Sequence, residues 1–211
     1  MARFTKIIID TNVLTKILKT RLSYEDATAP SDRCTSTLSM LESILTHLHN
    51  TLDKSQYVYL LGRQVDELTR WIITNICKHN DDLKEQIEGI IGWRRRKGSL
   101  EKKGIRSLRK EDVGNAKDRL KRSLGAREYK WVEEQVDSLK DEVDKLIAYF
   151  SLGCGKSGEW VKVVTADTKL HEVLHAMISK LGISTVSVKL VDFEEIPVDL
   201  REVLSSLVGD P

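Results

Sequence analysis

Four short apolar runs, each but the last followed by a stretch with helical spacing, most limit what this chain can fold into. Residues 4–9, 57–61, 160–165 and 185–190 read as buried strands. Between them, apolar residues recur every three or four positions. Residues 12–20 read as a helix behind a polar Asp-Thr-Asn turn, and 35–52 as a helix through Leu38, Leu41, Leu45 and Leu48. Val65, Leu68, Ile72 and Ile76 mark a third helix. Residues 131–152 carry Val132, Val136, Leu139, Val143, Leu146, Ile147 and Phe150 on one face and read as a single helix, with Thr168–Leu181 as another. Strands that alternate with helices imply an α/β fold with a mainly parallel sheet covered on both faces.

Ligands of such sheets bind beyond the carboxyl ends of the strands, and acids gather there. Asp10 directly follows three isoleucines. Asp66 and Glu67 lie one turn into the helix after the second strand, and Asp167 ends the third in VVTADTKL. In KDEVDKLIAYF, Asp144 lies about 110° from the centre of the apolar stripe at 100° per residue, and Asp141 and Asp137 continue its strip towards solvent. Taken singly, each acid reads as a helix cap or a solvated charge, and Asp10 as a turn former. Glu42 reads as a solvent-facing charge. Taken jointly they conflict, because two carboxylates ~4 Å apart repel by about 4 kcal/mol at an effective dielectric near 20. A divalent cation resolves that conflict, and all-oxygen ligands favour Mg²⁺ or Mn²⁺.

In IIIDTNVL, VYLLGRQVDELTRW, VDKLIAYFSLG and VVTADTKL, which occur in this order, the chain resembles the PIN-domain nucleases. The four pieces touch about a fifth of the chain. The resemblance implies one PIN-like domain over residues 1–211, a three-layer α/β/α sandwich with a mainly parallel central sheet. It also implies a metal site of Asp10, Glu67, Asp144 and Asp167 as catalytic acids, shaped by Asn12 and Thr165, with Asp66 and Asp141 as additional acids. The activity implied is metal-dependent hydrolysis of phosphodiesters leaving a 5′-phosphate and a 3′-hydroxyl, with RNA ahead of DNA as substrate. A bound metal can lower the pKa of water and stabilise in-line attack. Two departures stand out. Glu67 and Asp144 are separated by 76 residues, more than in compact members, and the first acid after Asp167 is Glu172 at +5 rather than at +3 or +4.

The long spacer is basic. Of the 34 Lys/Arg and 32 Asp/Glu in 211 residues, residues 93–130 carry 15 and 5, which leaves an acidic remainder. Such a run reads as a solvated, mostly helical insert or as an electrostatic grip on phosphates. In the second reading Arg94, Arg95, Arg96, Lys102 and Lys103 hold nucleic acid. Trp93, Tyr129 and Trp131 either stack on unpaired bases or anchor the excursion to the core.

Other features point elsewhere or nowhere. His171-Glu172-Val173-Leu174-His175 has the spacing of a zinc-protease helix, but its apolar neighbours turn both histidines to the outer flank, and a third ligand would have to come from Glu194 or Glu195. Gly155-Lys156-Ser157 reads as a loop, since the first glycine of a phosphate loop is missing. His47, His49 and His79 form no constellation. Cys34, Cys77 and Cys154 are far apart, without a CxxC pair, and read as small buried hydrophobes rather than as a disulfide or zinc framework. No apolar run reaches membrane-spanning length and no secretory leader is legible, so a cytoplasmic protein without a membrane partner is expected. Besides a ribonuclease, the sequence admits a catalytically weak RNA-binding scaffold or the toxin of a toxin–antitoxin pair, and leaves room for a homo-oligomer or a protein partner.

Overall fold

The computed structural model describes residues 6–24, 30–51, 57–77, 105–108 and 110–191. Arg94, Arg95, Arg96, Lys102, Lys103, Trp93, His79, Glu194 and Glu195 lie outside them.

Five strands, β1 (Lys6–Ile9), β2 (Tyr57–Leu61), β3 (Ile105–Leu108), β4 (Val161–Thr165) and β5 (Val186–Leu190), form one sheet in the order β3-β2-β1-β4-β5. Every pairing is parallel. The helices are α1 (Thr11–Tyr24), α2 (Pro30–Thr51), α3 (Gly62–Asn75), α4 (Lys110–Ser123), α5 (Ala126–Asp137), α6 (Glu142–Lys156) and α7 (Thr168–Leu181). The fold is therefore α/β with a parallel sheet.

Alternation along the central strands divides the core. Ile7, Ile9 and Val164 point into a cluster with Val13, Ile17 and Leu18 of α1, Leu41 and Ile44 of α2, and Leu68 and Ile72 of α3. Ile8, Val161 and Val163 point the other way, into a cluster built on Leu120 of α4, Val132 of α5, Ile147 of α6 and Leu174 of α7. Since β1 has strands on both sides and apolar side chains on both faces, it must read as an unbroken apolar run. Ile7, Ile8 and Ile9 are at most 1% exposed.

The structure departs from the sequence reading in four places. First, the basic stretch 93–130 is not wholly an excursion. Its residues 105–108 are an edge strand on β2, and α4 lies in the second cluster. Ile-Arg-Ser-Leu is too short and too polar to announce a strand by periodicity. Second, the expected helix over 131–152 is two helices. The Asp141 carboxylate accepts from the Val143 N–H at 2.6 Å and caps a new start, while Leu139, 2% exposed, keeps the apolar face continuous across the break. Third, Cys34 on α2 and Cys77 beyond α3 form a disulfide with their Cα atoms 5.0 Å apart, and only Cys154 is free. A spacing of 43 residues carries no sequence signal, because only the packing of α2 and α3 against β1 brings the two sulfurs together. Fourth, Gly155 and Lys156 are the last turn of α6 rather than a loop, and Lys156 Nζ donates to the Leu181 carbonyl at 2.9 Å.

α4 and α6 touch backbone to backbone. A Cβ placed on Gly153 would stand 2.2 Å from the Ala116 carbonyl oxygen, a contact that no side-chain motion relieves. Gly153→Ala should therefore force the two helices apart and lower stability by about 1–3 kcal/mol. A falling urea midpoint with unchanged m would show it.

Candidate acidic site at the carboxyl edge of the sheet

β1 and β4 are neighbours, but their chain continuations part. β1 feeds α1 over one face and β4 feeds α7 over the other. A reversal of this kind in strand order leaves a crevice outside the carboxyl ends of the two strands.

Asp10 stands at its floor. Its N–H still pairs with the sheet, donating to the Val164 carbonyl at 2.9 Å, and the residue is 3% exposed. Thr165 Oγ1 donates to Asp10 Oδ2 at 2.7 Å, and the Asn12 N–H and Nδ2 approach Oδ1 and Oδ2 at 3.4 Å each. Burial pushes the Asp10 carboxyl above its ordinary range. The bonds from Thr165 and Asn12 oppose that rise, and the charge of Asp167 adds to it. The Thr165 hydroxyl also accepts from the Asp167 N–H at 2.9 Å, so one buried side chain sets the spacing of two acids.

Asp167 caps α7, its Oδ1 accepting from the Leu170 N–H at 2.8 Å. Asp144 enters from the first turn of α6 and is buried. Burial first, then the charges of Asp10, Asp141, Asp167 and Glu67, push its carboxyl up to about 7. Acids beyond the ends of β1 and β4, on α3 and at the start of α6 therefore all act on one carboxyl. Glu67 on α3 is exposed, as is its neighbour Asp66. Among the described residues no salt-bridge cation stands against Asp10, Asp144 or Asp167. Nor does any group of three or more His, Cys, Asp or Glu among them stand in metal-holding geometry.

Asp141 borders this cluster, its charge acting on Asp144, but it is exposed and engaged in capping α6, and the other candidates lie apart: Asp137 stands 4.0 Å from Lys145. Glu42 is exposed on α2. His171 and His175 stack with ring centroids 6.0 Å apart on α7, and Glu172 is exposed. Tyr129 is buried in the second cluster and Trp131 packs against it, the anchoring arrangement. The Cys154 thiol is buried and pushed up to about 12 by desolvation, which makes it a poor nucleophile. Thr11 and Thr69, whose buried hydroxyls have no hydrogen-bond partner among the described residues, escaped sequence reasoning. A threonine at an apolar helix position looks like part of the packing.

No protein-family model, curated protein or solved structure matches the chain.

The raised Asp144 carboxyl sets a pH dependence. Its folded-state pKa of about 7 lies above the unfolded value near 3.8, so the folded state binds the proton more tightly. The destabilisation by the ionised carboxylate is absent below about pH 4, grows as pH rises, and is complete above about 7. With divalent ions chelated, stability should therefore increase as pH falls from 7 towards 4. Urea midpoints should show that this part of the slope disappears in Asp144→Asn.

Proposed function

We propose that the chain is a PIN-like, three-layer α/β/α nuclease that hydrolyses RNA phosphodiesters with Mg²⁺ or Mn²⁺. The observation that carries this reading is the buried Asp10 at the β1–β4 crevice, facing Asp144, Asp167 and Glu67 with no salt-bridge cation at Asp10 among the described residues. Such a site is electrostatically unfavourable as it stands. In donor type and charge it fits a hard dication, which would offset the burial, and the lesser repulsion between carboxylates, that hold Asp10 and Asp144 above their ordinary range.

Asp10, Asp144 and Asp167, which do not stand in metal-holding geometry without an ion, would have to close around it, with Glu67 at the outer rim. Bound there, it supplies the Lewis acidity that phosphodiester hydrolysis needs. The chain's own residues do the positioning. Thr165 fixes one oxygen of Asp10 and the backbone of Asp167, so that β1 and β4 present their acids at a set separation. Asn12 restrains Asp10 from the first turn of α1. Because Asp144 is half-titrated near neutrality without an ion, loading also expels a proton in part of the population.

Saturating Mn²⁺ at 100 times its dissociation constant should raise stability by about 2.7 kcal/mol. Asp10→Asn should keep the fold, reduce that gain and abolish cleavage of a flexible single-stranded RNA. Cleavage that persists in Asp10→Asn would place the chemistry elsewhere, and a melting temperature indifferent to Mn²⁺ would remove the metal from the reading. His171→Ala, whose ring contacts His175 on α7, should cleave as the parent does.

A further inference from the structure

On the first-cluster face of the sheet, α1 and α3 run side by side away from the acidic crevice. Both begin at the carboxyl edge, and their outer surfaces descend together. α1 exposes Asn12, Lys16 and Lys19, at the i, i+4, i+7 spacing of one helix face. α3 exposes Glu67, Arg70 and Thr74 at i, i+3, i+7. Trp71, half-buried against the core, bridges the two rows, with Lys19 Nζ 5.4 Å from its ring centroid. Arg70 lies about one turn below Glu67 and Lys19 about two turns below Asn12, roughly 4.5 and 10.5 Å along the helices at 1.5 Å per residue.

Taking the nuclease reading as its basis, we propose that this α1–α3 face guides a single-stranded nucleic acid into the acidic crevice, with phosphates against Lys19 and Arg70 and an unpaired base on Trp71. The charges select this direction. On the α6 side of the crevice the exposed residues Asp137, Asp141 and Glu142 form a carboxylate row interrupted by exposed Lys140 and by Lys145, which is already paired with two of the three acids. A polyanion is repelled there. On α1 and α3 the carboxylates stop at Asp66 and Glu67, and the next exposed charges below them are cationic. The cation–π pair adds selectivity for unpaired bases. A phosphate that draws the Lys19 ammonium outward uncovers the indole face in the same movement, and a base can stack on it. A duplex keeps its bases inside and gains nothing from the ring.

The test is binding without cleavage. In EDTA, affinity for a single-stranded RNA of about ten nucleotides is measured at several salt concentrations, together with tryptophan fluorescence. Lys19→Gln combined with Arg70→Gln, both at exposed positions, should lower the log-log salt slope by about 1.4. Trp71→Leu should weaken binding about tenfold or more, leave the slope intact and remove most of the fluorescence quenching. Binding of a duplex of the same length should ignore Trp71. Unchanged slope and affinity in these variants, or no binding at all, would overturn the strand path. Since Trp71→Leu could disturb packing, the exposed Lys19 and Arg70 changes alone decide if that variant melts early. The two readings fail separately. Binding that depends on these residues in a protein that never cleaves discards the nuclease and keeps the path, whereas cleavage indifferent to all three discards the path alone.

Discussion

β1 has no free side. Strands pair with both of its edges and helices cover both of its faces, so the only part of it that can meet a ligand is its end. The rest of the structure follows from that enclosure. Three isoleucines fill the strand because every side chain must be apolar, and the first residue past it can be charged because the strand order reverses there and opens a crevice. Asp10 is then caught between two demands. It is close enough to the sheet to keep a backbone hydrogen bond and to be desolvated, and close enough to other acids to feel their charge. The Thr165 hydroxyl makes this tolerable by supplying the shortest of the bonds to Asp10, across 155 residues of sequence.

Much of this arrangement was legible from residues alone, for a physical reason. Strands buried on both faces tend to be continuous apolar runs, and Ile7–Ile9 announce themselves as such, while Val161, Val163 and Val164 mark β4 in spite of the buried Lys162. Tyr57–Leu61 and Thr168–Leu181 begin and end where the sequence placed them, because turn and cap chemistry marks those boundaries. The acids could be gathered on one rim because strand ends in a parallel sheet share an edge. Asp144 needed the helical phase of α6, and that phase was readable from the apolar stripe on whose flank it lies.

What was not legible depended on contacts distant in sequence. β3 owes its extended state to Val58 and its neighbours on β2, not to its own composition. The break between α5 and α6 is a competition between an uninterrupted apolar period and the Asp141 cap, and periodicity alone favours the wrong outcome. The Cys34–Cys77 bond exists only because α2 and α3 share a face. The local excess of Lys and Arg also misled, since charge on the outside of α4 says nothing of Val113, Ala116 and Leu120 buried on its inside.

The central place of β1 also imposes an order in time. Ile7–Ile9 are made before their partner Val161–Thr165, which emerges roughly 8–30 s later at about 5–20 residues per second over the intervening chain. In that interval β2 can occupy one edge, while the other edge and the second-cluster face of Ile8 wait for segments not yet made. A nascent chain of this topology therefore leaves one edge of its most apolar strand unpaired until β4 has been made, so the floor of the acidic crevice is the last part of β1 to be enclosed.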